Sequence, residues 1–197
     1  ANEFLRETTD EKLTERGIDA ALKTEIAAFR AEARFLRAFD YVQLMDLFGN
    51  VPITTEADPV GFYNPVQKSR AEVFAFVEKE LKELDSSLKA SKANEYGRVD
   101  KAAAKFLLAK IYLNAKVYTG TAKNTECITA CKDVLDSGYS FANVPYFNLF
   151  SADNNVNGAQ SEIIFPVVSD GNLIRATGAA MSFILHAGIG GSFDTAS

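Results

Sequence analysis

The sequence has 197 residues, of which 47% are hydrophobic, enough for a sizeable core in one domain or slightly more. Its 21 basic and 26 acidic residues give a net charge of −5, which excludes the basic field that a nucleic-acid surface requires. With no Trp, 15 Phe and 7 Tyr, any aromatic stacking surface for a ligand must be Phe or Tyr, or lie outside this chain.

Thr8 with Glu11 three residues on reads as a capping box that starts a short helix, with Gly17 placed to end it. The stretch before it, ANEFLRETTDEK, lacks the charged, apolar and small-residue regions of a signal peptide, so the chain is expected to be cytoplasmic or a mature or truncated piece. No apolar run approaches the roughly 18 residues of a membrane span. Asp19 caps a long helix expected from about Ala20 to Phe48, whose apolar residues cover more than one stripe, as in an inner helix packed on two sides. Arg30, Arg34 and Arg37 follow an i, i+4, i+7 spacing along it; ion pairs with neighbours such as Glu32 and Asp40 are favoured over an anion-binding ladder.

Gly49-Asn50-Val51-Pro52 stops that helix, and the turn-rich connection to Pro65 carries Phe62 and Tyr63 near its tip, expected to fold down on the core rather than face a ligand. Ser69 and Glu72 form a second capping box for a helix to about Leu88. After the linker SKANEYGR, Asp100 caps a helix from Lys101 to about Tyr118, and its partner runs from about Thr125 to Ser137, closing at Gly138. Cys127 and Cys131 share one face of that last helix, where buried thiols are expected rather than a disulfide.

Two of these helices carry the same pattern. Ala33, Arg34, Phe35, Leu36, Ala38 and Tyr41 recur as Ala104, Lys105, Phe106, Leu107, Ala109 and Tyr112, a constant offset of 104 − 33 = 71. Half of that offset is close to the roughly 34-residue period of TPR-type helix-turn-helix repeats. The expected fold is therefore mainly α, a TPR-like helical repeat array over residues 1–138. Residues 139–197 form a loop-rich capping segment, in which Glu162 to Val168 reads as a short strand ending near Pro166.

Catalytic signatures are missing. There is no nucleophile elbow, Walker loop, dinucleotide fingerprint or zinc spacing, and His186, the only histidine, has no second histidine or poised cysteine nearby in sequence. Gly188, Gly190 and Gly191 echo a phosphate loop only weakly. Asp153-Asn154-Asn155-Val156-Asn157-Gly158 reproduces the first half of a calcium loop, with side-chain oxygens of Asp153, Asn155 and Asn157 at positions one, three and five. Position twelve is Ile164, with Glu162 two residues early, so the pattern is incomplete. The loop 169–178 offers Asp170, Asn172 and Arg175 as candidate partners for hydroxyl-rich ligands, against the alternative of a solvated loop.

The blocks EARFLRAFDYVQLMDLFGNVPITTE, KELDSSL, GRVDKAAAKFLLAKIYLNAKVY, GYSFANVPYFNLF and SEIIF, in that order, resemble the SusD/RagB family of bacterial surface glycan-binding lipoproteins over roughly residues 20–170. The resemblance implies a TPR-based scaffold that captures oligosaccharide or polysaccharide without cleaving it. It also implies attachment to the outer face of the outer membrane through a lipidated N-terminal cysteine absent from this chain, and a partnership with a SusC-like TonB-dependent transporter. It strengthens the expectation of calcium at Asp153, Asn155 and Asn157, and it points to the loop after SEIIF as this chain's own contribution to glycan binding. Family members are more than twice this length, so most of the glycan-binding aromatics are expected outside the chain. An intracellular TPR-type peptide adaptor is the alternative reading, and a glycoside hydrolase with paired carboxylates a remote third.

Overall fold

The computed structural model describes residues 1–168. The chain divides into a compact unit, Ala1–Pro166, and a second, Val167–Ser197. The boundary follows the loop-rich segment 139–166, which shares the first unit with the helices.

Two short helices open the chain, α1 (Asn2–Glu7) and α2 (Asp10–Glu15). Thr9 rather than Thr8 caps α2, accepting from the Lys12 N–H, while the Thr8 hydroxyl donates back to the Phe4 carbonyl. The capping-box spacing favours Thr8, with Glu11 three residues on, but the Thr8 hydroxyl is committed to the preceding turn and the cap falls to Thr9.

Asp19 does cap α3 (Ala20–Phe48), accepting from the Leu22 N–H at 2.9 Å. Ala31, Phe35, Ala38, Val42 and Met45 form its buried stripe at helical spacing. It ends at Gly49, whose φ of 72° suits glycine, and a Cβ there would stand 3.0 Å from the Arg70 guanidinium. A two-residue ribbon, β1 (Val51–Pro52) antiparallel to β2 (Gln67–Lys68), ties off the connection. The Ser69–Glu72 capping box then starts α4 (Arg70–Glu83), followed by a 3₁₀ turn, Leu84–Ser86.

Contacts Arg34–Glu83, Arg34–Glu80 and Tyr41–Phe76 run in opposite chain directions, so α3 and α4 are an antiparallel hairpin. A second hairpin joins α5 (Lys101–Leu113) to α7 (Asn124–Leu135), with Lys105 beside Asp133 and Cys127 beside Ala109. Phe74 against Tyr112 and the Tyr112 hydroxyl on Glu78 stack one hairpin on the other. This is the TPR-like array expected from the repeat. The helix from Lys101 is not continuous to Tyr118: it stops at Asn114, whose side-chain amide donates to the Lys110 carbonyl, and resumes as α6 (Ala115–Thr119).

The two copies of the repeated pattern are rotated relative to one another. In α3 Phe35 is buried and Leu36 exposed; in α5 Leu107 is buried and Phe106 exposed. The basic residue of each copy does the same task. Arg34 reaches Glu80 and Glu83 on α4, and Lys105 reaches Asp133 on α7 and Asp85 after α4.

The expected strand at Glu162–Val168 does not form. Among the described residues the only sheet is the β1–β2 ribbon. Ile164 and Phe165 instead pack against the core, with Phe165 edge-on to Phe35 at 5.5 Å. An apolar run with no strand to pair with takes its partners from side chains.

Candidate functional site

The arginine ladder is structural. Arg30 donates to the Leu5 carbonyl and the Thr8 hydroxyl, holding α1 to α3. Arg34 grips Glu80 bidentately, at 3.1 Å and 2.8 Å. Arg37, buried, donates to the same Glu80 at 2.9 Å, to Glu56 at 2.5 Å and to Asn2 at 2.8 Å. Burial alone would raise Glu80; the bonds from Arg34 and Arg37 outweigh it and hold the carboxyl below its ordinary range. The partners lie on α4, α1 and the following loop, not on α3 itself. Of the neighbours expected from sequence, Glu32 is engaged by Arg98 and Asn94.

Asp153 and Asn157 meet, but as a hydrogen-bonded turn. Asn157 donates its amide to Asp153 Oδ1 at 3.1 Å and to the Asn148 carbonyl at 3.0 Å, while its own oxygen accepts from the Ala159 N–H. Asn155 is exposed. Glu162, the substitute for position twelve, accepts from the Ala142 N–H at 3.0 Å. Asn157 thus presents nitrogen where a hard cation needs oxygen, and as arranged the donor set does not fit calcium. Asp170, Asn172, Arg175, His186 and the 188–191 glycines lie outside the described residues.

Aromatic rings are available elsewhere. Phe62 is 99% exposed at the tip of its loop, so that residue does not tuck onto the core; Tyr63 bends back to Asp58 through its hydroxyl. In the segment after α7, Phe141, Tyr146, Phe147 and Phe150 are all exposed, and Tyr146 stands edge-to-face with Phe150 at 5.2 Å. Cys127 is half-buried and Cys131 exposed, both free thiols, so only one of the pair lies near the core as expected. The i, i+4 spacing fixes a shared face but not which flank of it turns inward.

Two cavities frame the loop-rich segment. The apolar one, about 450 Å³, lies between Phe35, Phe39, Phe106 and the run Ile163–Phe165. A second, of about 160 Å³, is lined by the polar residues between Lys92 and Asp100, by Tyr139 and Gln160, and by the apolar Ile163, Ile164 and Pro166. By sequence this stretch is a linker, and its one signal is the run of polar groups around a single aromatic, Tyr96, in KANEYGRVD.

Residues 9–113 match a family profile described as SusD-like, starch-binding and associating with the outer membrane. The chain is 36% identical over 165 residues to the starch-binding protein SusD of Bacteroides thetaiotaomicron, covering 82% of this chain and 29% of that protein. Among solved structures, a SusD-like protein from Bacteroides fragilis matches with a TM-score of 0.61 at 26% identity over 82% of this chain and 31% of its own. A laminarin-binding SusD-like protein matches with a TM-score of 0.62 at 25% identity over 84% and 37%. The chain therefore spans less than two fifths of the length of these relatives. On the profile and on the identity, the chain belongs to the SusD-like family.

Proposed function

We propose that the protein captures oligosaccharide or polysaccharide, starch-like glucan foremost, at the cell surface and delivers it to a SusC-like TonB-dependent transporter. The observation that carries this reading is the 36% identity over 165 residues to a starch-binding protein. Stacked hairpins supply a rigid scaffold, and in a chain without Trp the exposed Phe62, Phe141, Tyr146, Phe147 and Phe150 are the rings on which sugars or a partner can pack. Anchoring by a lipid on an N-terminal cysteine outside this sequence completes the proposal.

Binding without cleavage is the favoured chemistry. Hydrolysis of a glycosidic bond needs one carboxyl raised so that it stays protonated. Each described carboxyl with a shifted titration (Glu7, Glu56, Asp58, Glu72, Glu78 and Glu80) is shifted downward instead.

Isothermal titration of the protein against α-linked and β-linked glucans tests the reading. We expect binding to α-linked glucan with a dissociation constant between about millimolar and micromolar, roughly −4 to −8 kcal/mol. Absence of binding to every glycan would overturn it. Delivery is tested separately, by co-purification of an outer-membrane transporter with the tagged protein; a tagged protein that comes away alone removes that half of the proposal.

A further inference from the structure

The second cavity, at residues 92–100, is built on a rigid wall. Asp100, 2% exposed, accepts from the Lys92 N–H at 2.8 Å, the Ala103 N–H at 3.1 Å and the Tyr139 hydroxyl at 2.8 Å. Those bonds hold Lys92 at a φ of 62°, the one positive φ outside glycine among the described residues. Left-handed backbone at such a residue is strained and persists where surrounding structure imposes it, most often beside functional sites.

The groups facing this wall divide by whether they are spent. Arg98 donates to both oxygens of Glu32, at 3.1 Å and 2.6 Å, and Lys92 Nζ donates to the Gly138 carbonyl at 2.9 Å while lying over the Tyr139 ring. Gln160 uses only its oxygen, on the Gly158 N–H, which leaves its amide N–H groups for a ligand. The Glu95 carboxylate and the Tyr96 hydroxyl have no hydrogen-bond partner among the described residues, and Tyr96 is 45% exposed. A carboxylate acceptor, an amide donor and a phenol ring therefore remain, while Arg98 is paired with Glu32 and Lys92 is held by the Gly138 carbonyl.

That set matches vicinal hydroxyls on a neutral ring. One carboxylate and one amide side by side bind a hydroxyl pair as acceptor and donor, and a tyrosine face covers the apolar C–H surface of a sugar. An acidic sugar would be repelled by the unpaired Glu95 carboxylate, while Arg98 is already neutralised by Glu32. A volume of about 160 Å³ holds roughly five waters, the space of one ring with its hydroxyls. We propose that this cavity is a binding subsite for a single neutral pyranose residue of a glycan, with Tyr96 as stacking face and Glu95 and Gln160 as hydroxyl partners. The proposal rests on the glycan-binding reading above.

The test is titration of the protein and three variants with the neutral oligosaccharide that the parent binds best. Tyr96→Ala is expected to weaken binding about tenfold, Tyr96→Phe to stay within about twofold of the parent, and Gln160→Leu to weaken it about threefold. Tyr96 and Gln160 are exposed, so the melting temperatures of the variants should match the parent and separate lost binding from lost folding. Tyr96→Ala and Gln160→Leu proteins that bind the glycan as the parent does would overturn the subsite and leave the general reading standing. A parent that binds no glycan would overturn both.

Discussion

Arg34 and Glu80 join the two helices of the first hairpin through a two-pronged ion pair, with Nε 3.1 Å from Oε2 and Nη2 2.8 Å from Oε1. Arg37 shares the same carboxylate from a buried position, so Glu80 is the common partner of two guanidinium groups. Removing it leaves Arg37 buried beside only Glu56 and Asn2. Glu80→Ala is therefore expected to cost about 3 kcal/mol in urea unfolding, and Arg34→Ala, which leaves Glu80 paired with Arg37, clearly less. Equal losses would show that the carboxylate is not the hub.

The same cluster sets an acid limit. Glu56 and Glu80 titrate lower folded than their ordinary value of 4.5, because the arginine bonds outweigh the burial that would raise them. A lowered folded value means stability that is fully present above about pH 4.5 and is lost as pH falls through the folded values. Melting temperature should thus be level above about pH 5 and fall on acidification, with a shallower fall in Glu80→Gln. Parallel acid profiles for parent and variant would exclude this cluster as the cause.

The rotated repeat gives a crossed pair of mutants. Phe35→Ala and Leu107→Ala remove buried side chains and should each cost about 3 kcal/mol or more, while Leu36→Ala and Phe106→Ala, at exposed positions, should cost under about 1 kcal/mol. If Phe106→Ala proved as costly as Phe35→Ala, the two copies would be equivalent after all.

Cysteine reactivity should be ordered. Burial and the neighbouring Cys131 raise the Cys127 thiol, and the group also donates to the Ala109 carbonyl at 3.5 Å. Cys131 is exposed. A maleimide should modify Cys131 first, and Cys131→Ser should abolish the fast phase. A fast phase that survives in that variant would place the reactive thiol at Cys127.

The calcium expectation turns on the Asn157 amide. Coordination would require that side chain to turn over, giving up its bonds to Asn148 and Ala159. Chelation is accordingly expected to leave the melting temperature within about 1 °C of the calcium-loaded value, since no net protein contact is gained. A larger calcium-dependent rise, lost in Asp153→Ala, would establish the site instead.

Helix starts were legible because capping is a local event. Asp19, Ser69 with Glu72, and Asp100 all bond within three residues of themselves, so spacing alone finds them. The partners of Arg34 and Arg37 lie 46 and 43 residues away at Glu80, and no local pattern chooses Glu80 over Glu32 or Asp40. The segment Glu162–Val168 misled for a related reason: β-branched composition marks an apolar run, while a strand requires a neighbour to pair with. The second cavity escaped notice because residues 92–100 and Gln160 meet only through the fold.

The two-residue ribbon of Val51–Pro52 with Gln67–Lys68 clasps the base of the loop that carries Phe62. The first half of that loop is tied down by Arg37 on Glu56 and by Arg6 on the Glu56 and Asp58 carbonyls, so only the part around Phe62 stands clear of the helices, and doubling the loop's length there would cost only about 0.6 kcal/mol in closure entropy. Its tip is consequently a place where a tag, a reporter or a new recognition sequence can be grafted without disturbing the helices.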